Sequence, residues 1–132
     1  MQVVVFRIGD EQFAVETSKV QSICDMMNIT LVPKAPSHIK GLINLRGIII
    51  TILDINLVLN MKSANTEEQN IIILNLEDEA VGITVDSVDE VLEVEDGSVE
   101  RVVSDKEKVF IKGVINLKDR IITLLDFDKI NI

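Results

Sequence analysis

The chain contains the same segment twice. Residues 39–55 and 111–127 are identical at 11 of 17 positions when they are aligned with an offset of 72. A second pair, at an offset of 68, aligns residues 9–15 with residues 77–83. A duplication on this scale predicts a single domain built from two equivalent units, approximately residues 1–70 and 71–132, which can exchange strands.

Short runs of β-branched residues, bounded by Gly, Asp or Asn, predict many short strands. Close spacing of such strands is typical of small barrels and sandwiches. The predicted strands are residues 3–8, 13–15, 29–32, 41–45, 48–53, 71–76, 80–85, 109–117 and 121–125. We expect the repeated strands 48–53 and 121–125 to be buried, and the two repeated hairpins to lie in separate barrels.

Two stretches instead have helical spacing. One contains Val20, Ile23, Cys24 and Met27, and the other contains Val88, Val91 and Leu92. This spacing predicts one short helix in each half, after its second strand. Asp54 and Asp126 end the repeated segment and are predicted to cap the short stretches 55–59 and 127–130.

The two copies diverge together at three consecutive positions, where one strand turns into the next. Residues 46–48 read Arg-Gly-Ile, whereas residues 118–120 read Lys-Asp-Arg. Arg46 is a candidate bidentate anchor for a partner's carboxylate, although a solvated turn arginine is the alternative. Val20 or Ile23 would supply an apolar contact beside it if either is exposed, and both would otherwise belong to the core.

Composition excludes several classes of function. The net charge of −9 and the pI near 4.5 argue against nucleic acid and against direct contact with an anionic membrane. Trp and Tyr are absent, so stacking platforms for bases are nearly excluded. No apolar stretch reaches 18 residues, and the N-terminus runs into a strand pattern without a basic segment, so we expect neither a membrane span nor a secretion signal. The one cysteine, Cys24, cannot form an internal disulfide, which agrees with a cytoplasmic location.

No motif predicts a metal, a cofactor or catalysis. A Cys24–His38 pair would require both residues to converge in space, and the segment Lys-Gly-x-x-Asn-x-Arg-Gly resembles a phosphate cradle only superficially, because its glycines flank a strand. Two alternatives remain open. A small hydrolase could use Asp86 or Asp126 beside His38, and a ligand-binding barrel would need an internal cavity.

Several motifs together resemble the CheW-like domain family of chemotaxis coupling proteins, over nearly the whole chain. These motifs are Val4-Val-Phe-Arg-Ile-Gly-Asp-Glu, Lys19-Val-Gln, the connector at Pro33, Ile39-Lys-Gly-Leu-Ile-Asn-Leu-Arg-Gly, Leu53-Asp54, Val81-Gly-Ile-Thr-Val-Asp86 and Ser87-Val-Asp-Glu-Val-Leu. The resemblance implies two small intertwined SH3-like β-barrels with a groove between them. It also implies a non-enzymatic scaffold that joins methyl-accepting chemotaxis receptors to the regulatory domain of the histidine kinase CheA, at membrane receptor arrays.

The resemblance also implies which residues bind each partner. The resemblance assigns the receptor to Val20, Arg46, Val88 and Val91, and we add Ile23 to this predicted site. The resemblance assigns the kinase to Lys40, Gly41 and Gly47, and we add Ile48 of the divergent turn to this predicted site. Ser22 and Thr51 depart from the family pattern, which commonly has Glu and Pro there, and these departures bear on receptor preference and on strand geometry.

Overall fold

The chain is mainly β, as its sequence predicts. The computed structural model describes residues 1–59, 68–77, 79–101 and 111–128. In these residues the strands are β1 (Gln2–Ile8), β2 (Glu11–Glu16), β3 (Val20–Asp25), β4 (Ile39–Leu45), β5 (Ile48–Leu53), β6 (Asn70–Leu76), β7 (Glu79–Val85), β8 (Ser87–Glu93), β9 (Val99–Glu100), β10 (Ile111–Asn116) and β11 (Ile121–Leu125). One α-helix, α1 (Ile55–Val58), and two 3-10 turns, Thr17–Lys19 and Asp96–Ser98, accompany them. None of the described helices is long and apolar enough to cross a membrane.

The strands form two sheets, and each sheet contains strands from both sequence halves. The six-stranded sheet has the order β8-β1-β2-β11-β10-β9, and the five-stranded sheet has the order β3-β6-β7-β5-β4. The first two strands of each half therefore pair with strands of the other half. The repeated hairpins β4–β5 and β10–β11 lie in different sheets.

The strand pairing repeats with the duplication. β5 pairs with β7 in parallel through Thr51 and Val81, and β11 pairs with β2 in parallel through Thr123 and Phe13. Thr51 and Thr123 occupy equivalent positions of the repeated segment, and so do Phe13 and Val81 in the upstream pair. Equivalent residues thus make equivalent pairings, which extends the duplication from sequence to topology.

Each sheet buries its own cluster of aliphatic side chains, and a third cluster joins the sheets. The five-stranded sheet buries Ile43, Ile50, Ile52, Ile71 and Ile73. The six-stranded sheet buries Val3, Val5, Ala14, Val94, Ile115, Ile122 and Leu124. The shared cluster takes residues from both sheets, among them Phe6 and Phe13, whose stacked rings have centroids 6.0 Å apart. Because these side chains fill the space that each sheet encloses, the structure favours a packed core in each barrel over a ligand-binding cavity inside it.

The two predicted short helices are wrong, because the stretches concerned form β3 and β8. Along β3, Ile23 is 42% exposed whereas Val20 and Cys24 are partly buried. This alternation is that of a strand, and a bulge between Val20 and Ser22 shifts the pairing of β3 with β6. The pairing satisfies backbone groups that an isolated helix of this length would leave unpaired.

The predicted strand 29–32 is also wrong. Within it, only Thr30 pairs, through an isolated bridge to Leu42 of β4. Leu31 is 76% exposed and Pro33 follows shortly after, which removes a backbone donor and ends any pairing with β4.

The repeated strands are buried only over their later residues. Ile48 and Ile49 are each 60% exposed and Ile121 is 63% exposed, because these residues extend beyond the packed interior at the hairpin ends. The predicted capping is confirmed at Asp54, whose Oδ1 accepts hydrogen bonds from Asn56 N (3.1 Å) and Leu57 N (3.3 Å) at the start of α1. Asp126 Oδ1 likewise accepts from Asp128 N at 3.0 Å, and residues 129–130 of the second capped stretch lie outside the described residues.

Candidate protein-binding site

The turn between β4 and β5 is tight. Leu45 pairs with Ile48, so only Arg46 and Gly47 make the turn. Both have a positive φ, 54° at Arg46 and 87° at Gly47. Two consecutive positive φ values are typical of a type I′ turn, whose twist matches that of a hairpin. Asn44 Oδ1 accepts a hydrogen bond from Gly47 N at 2.8 Å and holds the turn closed.

Residues 46–49, which we call the β4–β5 tip, project into solvent. Ile48 and Ile49 are each 60% exposed, and Arg46 forms no ion pair with any of the described residues. A left-handed conformation costs a residue with a Cβ about 1–2 kcal/mol, and such conformations cluster at functional sites. An exposed cation beside exposed isoleucines is a combination typical of a protein-binding surface.

The equivalent β10–β11 tip, residues 118–121, has a different backbone. Leu117 N donates to Arg120 O at 2.9 Å, so Lys118 and Asp119 make the turn. Neither has a positive φ. Ile121 is 63% exposed and corresponds to Ile49 of the β4–β5 tip. The tips therefore share their exposed isoleucine and differ in the turn before it.

Arg120 is held in a network that we call the ionic latch, formed by Arg7, Gln12, Asp89, Glu90 and Arg120. Arg120 Nη2 forms an ion pair with Glu90 Oε1 on β8, and Arg120 Nη1 donates to Gln12 Oε1 at 3.4 Å. Gln12 Nε2 in turn donates to Asp89 Oδ2 at 2.8 Å, and Arg7 Nε lies 3.6 Å from the same oxygen. The latch ties the β10–β11 tip to the edge strand β8.

The protonation of Asp89 reflects this network. Burial raises the pKa of Asp89, but hydrogen bonds from Gln12 and Ser87, with the charges of Arg7 and Arg120, outweigh burial and lower the pKa below its ordinary value. The carboxylate of Asp89 is therefore charged at neutral pH and holds its partners in place.

In the repeat, β3 is the counterpart of the edge strand β8, and no ion pair among the described residues joins the β4–β5 tip to β3. Burial raises the pKa of the Cys24 thiol on β3, and the charge of Arg46 opposes that rise. By the repeat, Ile48 and Ser22 occupy the positions of Arg120 and Glu90. An apolar residue and a hydroxyl thus replace the ion pair.

Apart from Arg46, the predicted receptor-binding residues lie on β3 and β8, which are each an edge strand of their sheet. Val20 and Val88 are equivalent in the repeat, are partly buried, and pack against the shared core. Ile23 and Val91 are also equivalent and point outward, at 42% and 53% exposure. β3 and β8 therefore each present one valine to the core and one aliphatic side chain to solvent.

Two of the predicted kinase-binding residues have structural contacts. Lys40 Nζ forms an ion pair with Glu68 Oε2 at 2.5 Å. Gly41 is buried, and a Cβ there would lie 2.4 Å from Thr30 O, so only glycine allows the close approach of the segment around Thr30. Gly47 and Ile48, by contrast, are exposed at the β4–β5 tip.

The described structure does not bring the residues of the hydrolase alternative together in one site. Asp86 Oδ2 accepts from Gly9 N at 2.7 Å and holds the β1–β2 turn. Asp126 lines a cavity of about 210 Å³ whose described lining includes neither His38 nor Asp86. Among the described residues, no group of three or more His, Cys, Asp or Glu side chains could hold a metal ion. Cys24 packs against the core of the five-stranded sheet.

Sequence reasoning missed the ionic latch, although a signal for it was present. The repeat pairs Ile48 with Arg120, and Ser22 with Glu90. Both positions change from uncharged to charged, with opposite signs, between one copy and the other. Such joint divergence within a duplication indicates that the two positions are in contact.

Three comparisons with known proteins cover both tips. A family model described as "CheW-like domain" matches residues 2–131. The chain is 33% identical to the chemotaxis protein CheW of Rhizobium meliloti over 98% of this chain and 86% of that protein. It is 32% identical to that of Thermotoga maritima over 98% of this chain and 86% of that protein. The crystal structure of the scaffolding protein TtCheW from Thermoanaerobacter tengcongensis matches with a TM-score of 0.87 at 26% identity, over 95% of this chain and 83% of that chain.

Proposed function

This chain belongs to the CheW-like domain family of chemotaxis scaffold proteins, and on that premise we propose that it couples methyl-accepting chemotaxis receptors to the histidine kinase CheA. Its role is binding and not catalysis. We propose further that residues 1–132 act as one domain with two barrel subdomains, in the cytoplasm, and that the chain is recruited to membrane receptor arrays without touching lipid.

The observation that carries the proposal is the β4–β5 tip. Exposed apolar residues close together on a domain mark interaction sites, and Ile48 and Ile49 are consecutive and each 60% exposed at the tip. We assign the regulatory domain of the kinase to Gly47 and Ile48. Lys40 and Gly41 are assigned to the same partner. They lie at the other end of β4, where Lys40 pairs with Glu68 and Gly41 closely approaches Thr30.

The receptor is assigned to Arg46 and to the edge strands β3 and β8. A helical hairpin, as a receptor signalling tip is, binds through apolar residues at i, i+3 and i+4, which need an apolar surface on the scaffold. Ile23 and Val91 offer exposed aliphatic contacts, while Val20 and Val88 are partly buried and pack against the shared core. Arg46 would meet a receptor carboxylate at the rim. Each contact is small, so assembly depends on simultaneous engagement of both partners.

Reconstitution from purified components tests this function. The chain is mixed with the kinase's regulatory domain, with a receptor signalling hairpin, and with both, and complexes are measured by calorimetry and sedimentation. We expect two binary complexes and one ternary complex. If the chain binds neither partner, or if the two partners exclude each other, the coupling role is wrong.

A further inference from the structure

The two tips belong to hairpins that are otherwise nearly the same. Both hairpins carry Ile-Lys-Gly at their start and Ile-Asn-Leu before the turn. Both present an isoleucine after the turn, Ile49 at 60% and Ile121 at 63% exposure. A partner that recognises the β4–β5 tip therefore meets a second, similar surface on the same molecule.

The surfaces diverge in what precedes that isoleucine. At the β4–β5 tip, Ile48 is exposed and uncharged, and the repeat places Ser22 of β3 where the other copy has Glu90. At the β10–β11 tip, Arg120 is in the same place and is bound to Glu90 and Gln12. An apolar partner that covered Arg120 would have to desolvate a partly exposed ion pair, which disfavours binding.

We propose that the ionic latch is a specificity determinant, with Arg120 as its central residue. It restricts the kinase's regulatory domain to the β4–β5 tip by making the duplicated β10–β11 tip unfit for the same apolar contact. This inference rests on the proposed function, because it takes the kinase domain as the partner of Ile48. Discrimination of this kind works through an unfavourable element placed against the wrong contact, in addition to favourable contacts at the right one.

The arrangement of the latch supports a role beyond stability. Its ion pairs are partly exposed, with side-chain exposures of 30% for Arg120 and 37% for Glu90, and such pairs contribute little to folding. If the ionic latch served only to stabilise its sheet, we would expect an equivalent ion pair in the five-stranded sheet. The five-stranded sheet instead has Ile48 and Ser22 at these positions.

The test moves the binding surface from one tip to the other. Ile48→Asp should lower the affinity for the kinase's regulatory domain by about tenfold or more, as for the loss of a central apolar contact. Adding Asp119→Gly and Arg120→Ile to this variant removes the latch and gives the second tip the Gly-Ile of the first. We expect the triple variant to regain most of the lost affinity in calorimetry, with one kinase domain bound per chain.

The matched control is Ile48→Asp with Asp119→Gly alone, which frees the turn but keeps the latch and should not regain affinity. Melting curves identify any variant that does not fold. If the Arg120→Ile variant is among these, Arg120→Met at the same position keeps the long aliphatic stem and serves instead.

The outcomes separate the two proposals. If the unsubstituted chain does not bind the kinase domain, the proposed function fails and this inference fails with it. If the unsubstituted chain binds but a folded triple variant regains nothing, only the inference is overturned. Recovery by the Asp119→Gly control also overturns it, because the turn and not the latch would then decide.

Discussion

The guanidinium of Arg46 lies close enough to Cys24 for its charge to lower the pKa of the thiol, against the larger effect of burial, which raises that pKa. β3 and β4 stand at opposite ends of the hydrogen-bonded order of the five-stranded sheet. Thr30, which follows β3 in the chain, bridges to Leu42 of β4, so the chain brings the two ends of the sheet toward each other. The charge of Arg46 at the β4–β5 tip therefore acts on a thiol of the edge strand β3.

The pKa of Cys24 provides a test of this geometry. Because burial raises the pKa, the thiolate fraction at neutral pH is smaller than that of a free thiol, and we expect slow labelling by a thiol reagent. Arg46→Ala removes the opposing charge, so the midpoint of the labelling rate should move to higher pH. Lys118→Ala, at the equivalent turn, should leave the midpoint unchanged. An unchanged midpoint in Arg46→Ala would place Arg46 away from Cys24.

Cys24 is predicted to have only a structural role. It packs against the core of the five-stranded sheet and is equivalent in the repeat to Leu92, an ordinary apolar residue. Cys24→Ala should therefore leave the affinities for the receptor hairpin and for the kinase domain unchanged. Rapid labelling of the native protein would argue against this role and would indicate an accessible, reactive thiol.

Much of this architecture could be predicted from the duplication, and the failures have physical reasons. The hairpins β4–β5 and β10–β11 are predicted correctly, because the local pattern of apolar and turn residues decides where a hairpin forms. The four residues Val20, Ile23, Cys24 and Met27 match helical spacing and so predict a helix, whereas pairing with β6 makes residues 20–25 a strand. The contact of Arg120 with Glu90 joins residues 30 positions apart, and no local pattern contains it.

Gly41 should tolerate no side chain. A Cβ would lie 2.4 Å from Thr30 O, and at the equivalent Gly113 it would lie 2.6 Å from Glu100 O, so backbone would have to move in either case. Gly41→Ala and Gly113→Ala should each lower the free energy of unfolding by about 1–3 kcal/mol, as overpacking does. Gly97→Ala is the control, because no atom lies within 4 Å of its Cβ position. Urea denaturation measures all three, and equal stability of Gly41→Ala and Gly97→Ala would contradict the close approach.

Arg46 is predicted to lower stability in return for binding. Its φ of 54° is unfavourable for a residue with a Cβ, and glycine adopts that conformation freely. Arg46→Gly relieves this strain, but glycine also increases the entropy of the unfolded chain, which opposes the gain. The net free energy of unfolding should rise by up to about 1 kcal/mol. The same variant should weaken receptor binding. Arg46→Asn is the matched comparison, because asparagine also tolerates a positive φ. A large loss of stability in both variants would mean that Arg46 serves the fold.

The charge of Arg46 should matter for assembly and not for folding. Arg46 is exposed at the β4–β5 tip, so Arg46→Ala should leave the melting temperature nearly unchanged. Loss of a charge-assisted contact should weaken binding of the receptor hairpin by about 1.5–3 kcal/mol. Arg46→Glu should do more harm, because it adds repulsion to the partner's carboxylate.

Lys118→Glu at the equivalent turn is the control for that experiment. It reverses a charge of the same sign on the same acidic molecule, so it reports any effect of net charge alone. The measurements are the melting temperature and receptor-dependent activation of the kinase, for Arg46→Ala, Arg46→Glu and Lys118→Glu. Loss of activation in the Arg46 variants alone, with unchanged melting, supports the site. If Lys118→Glu impairs activation as much as Arg46→Glu does, the two tips are equivalent electrostatic surfaces and the assignment of the receptor to one of them is wrong.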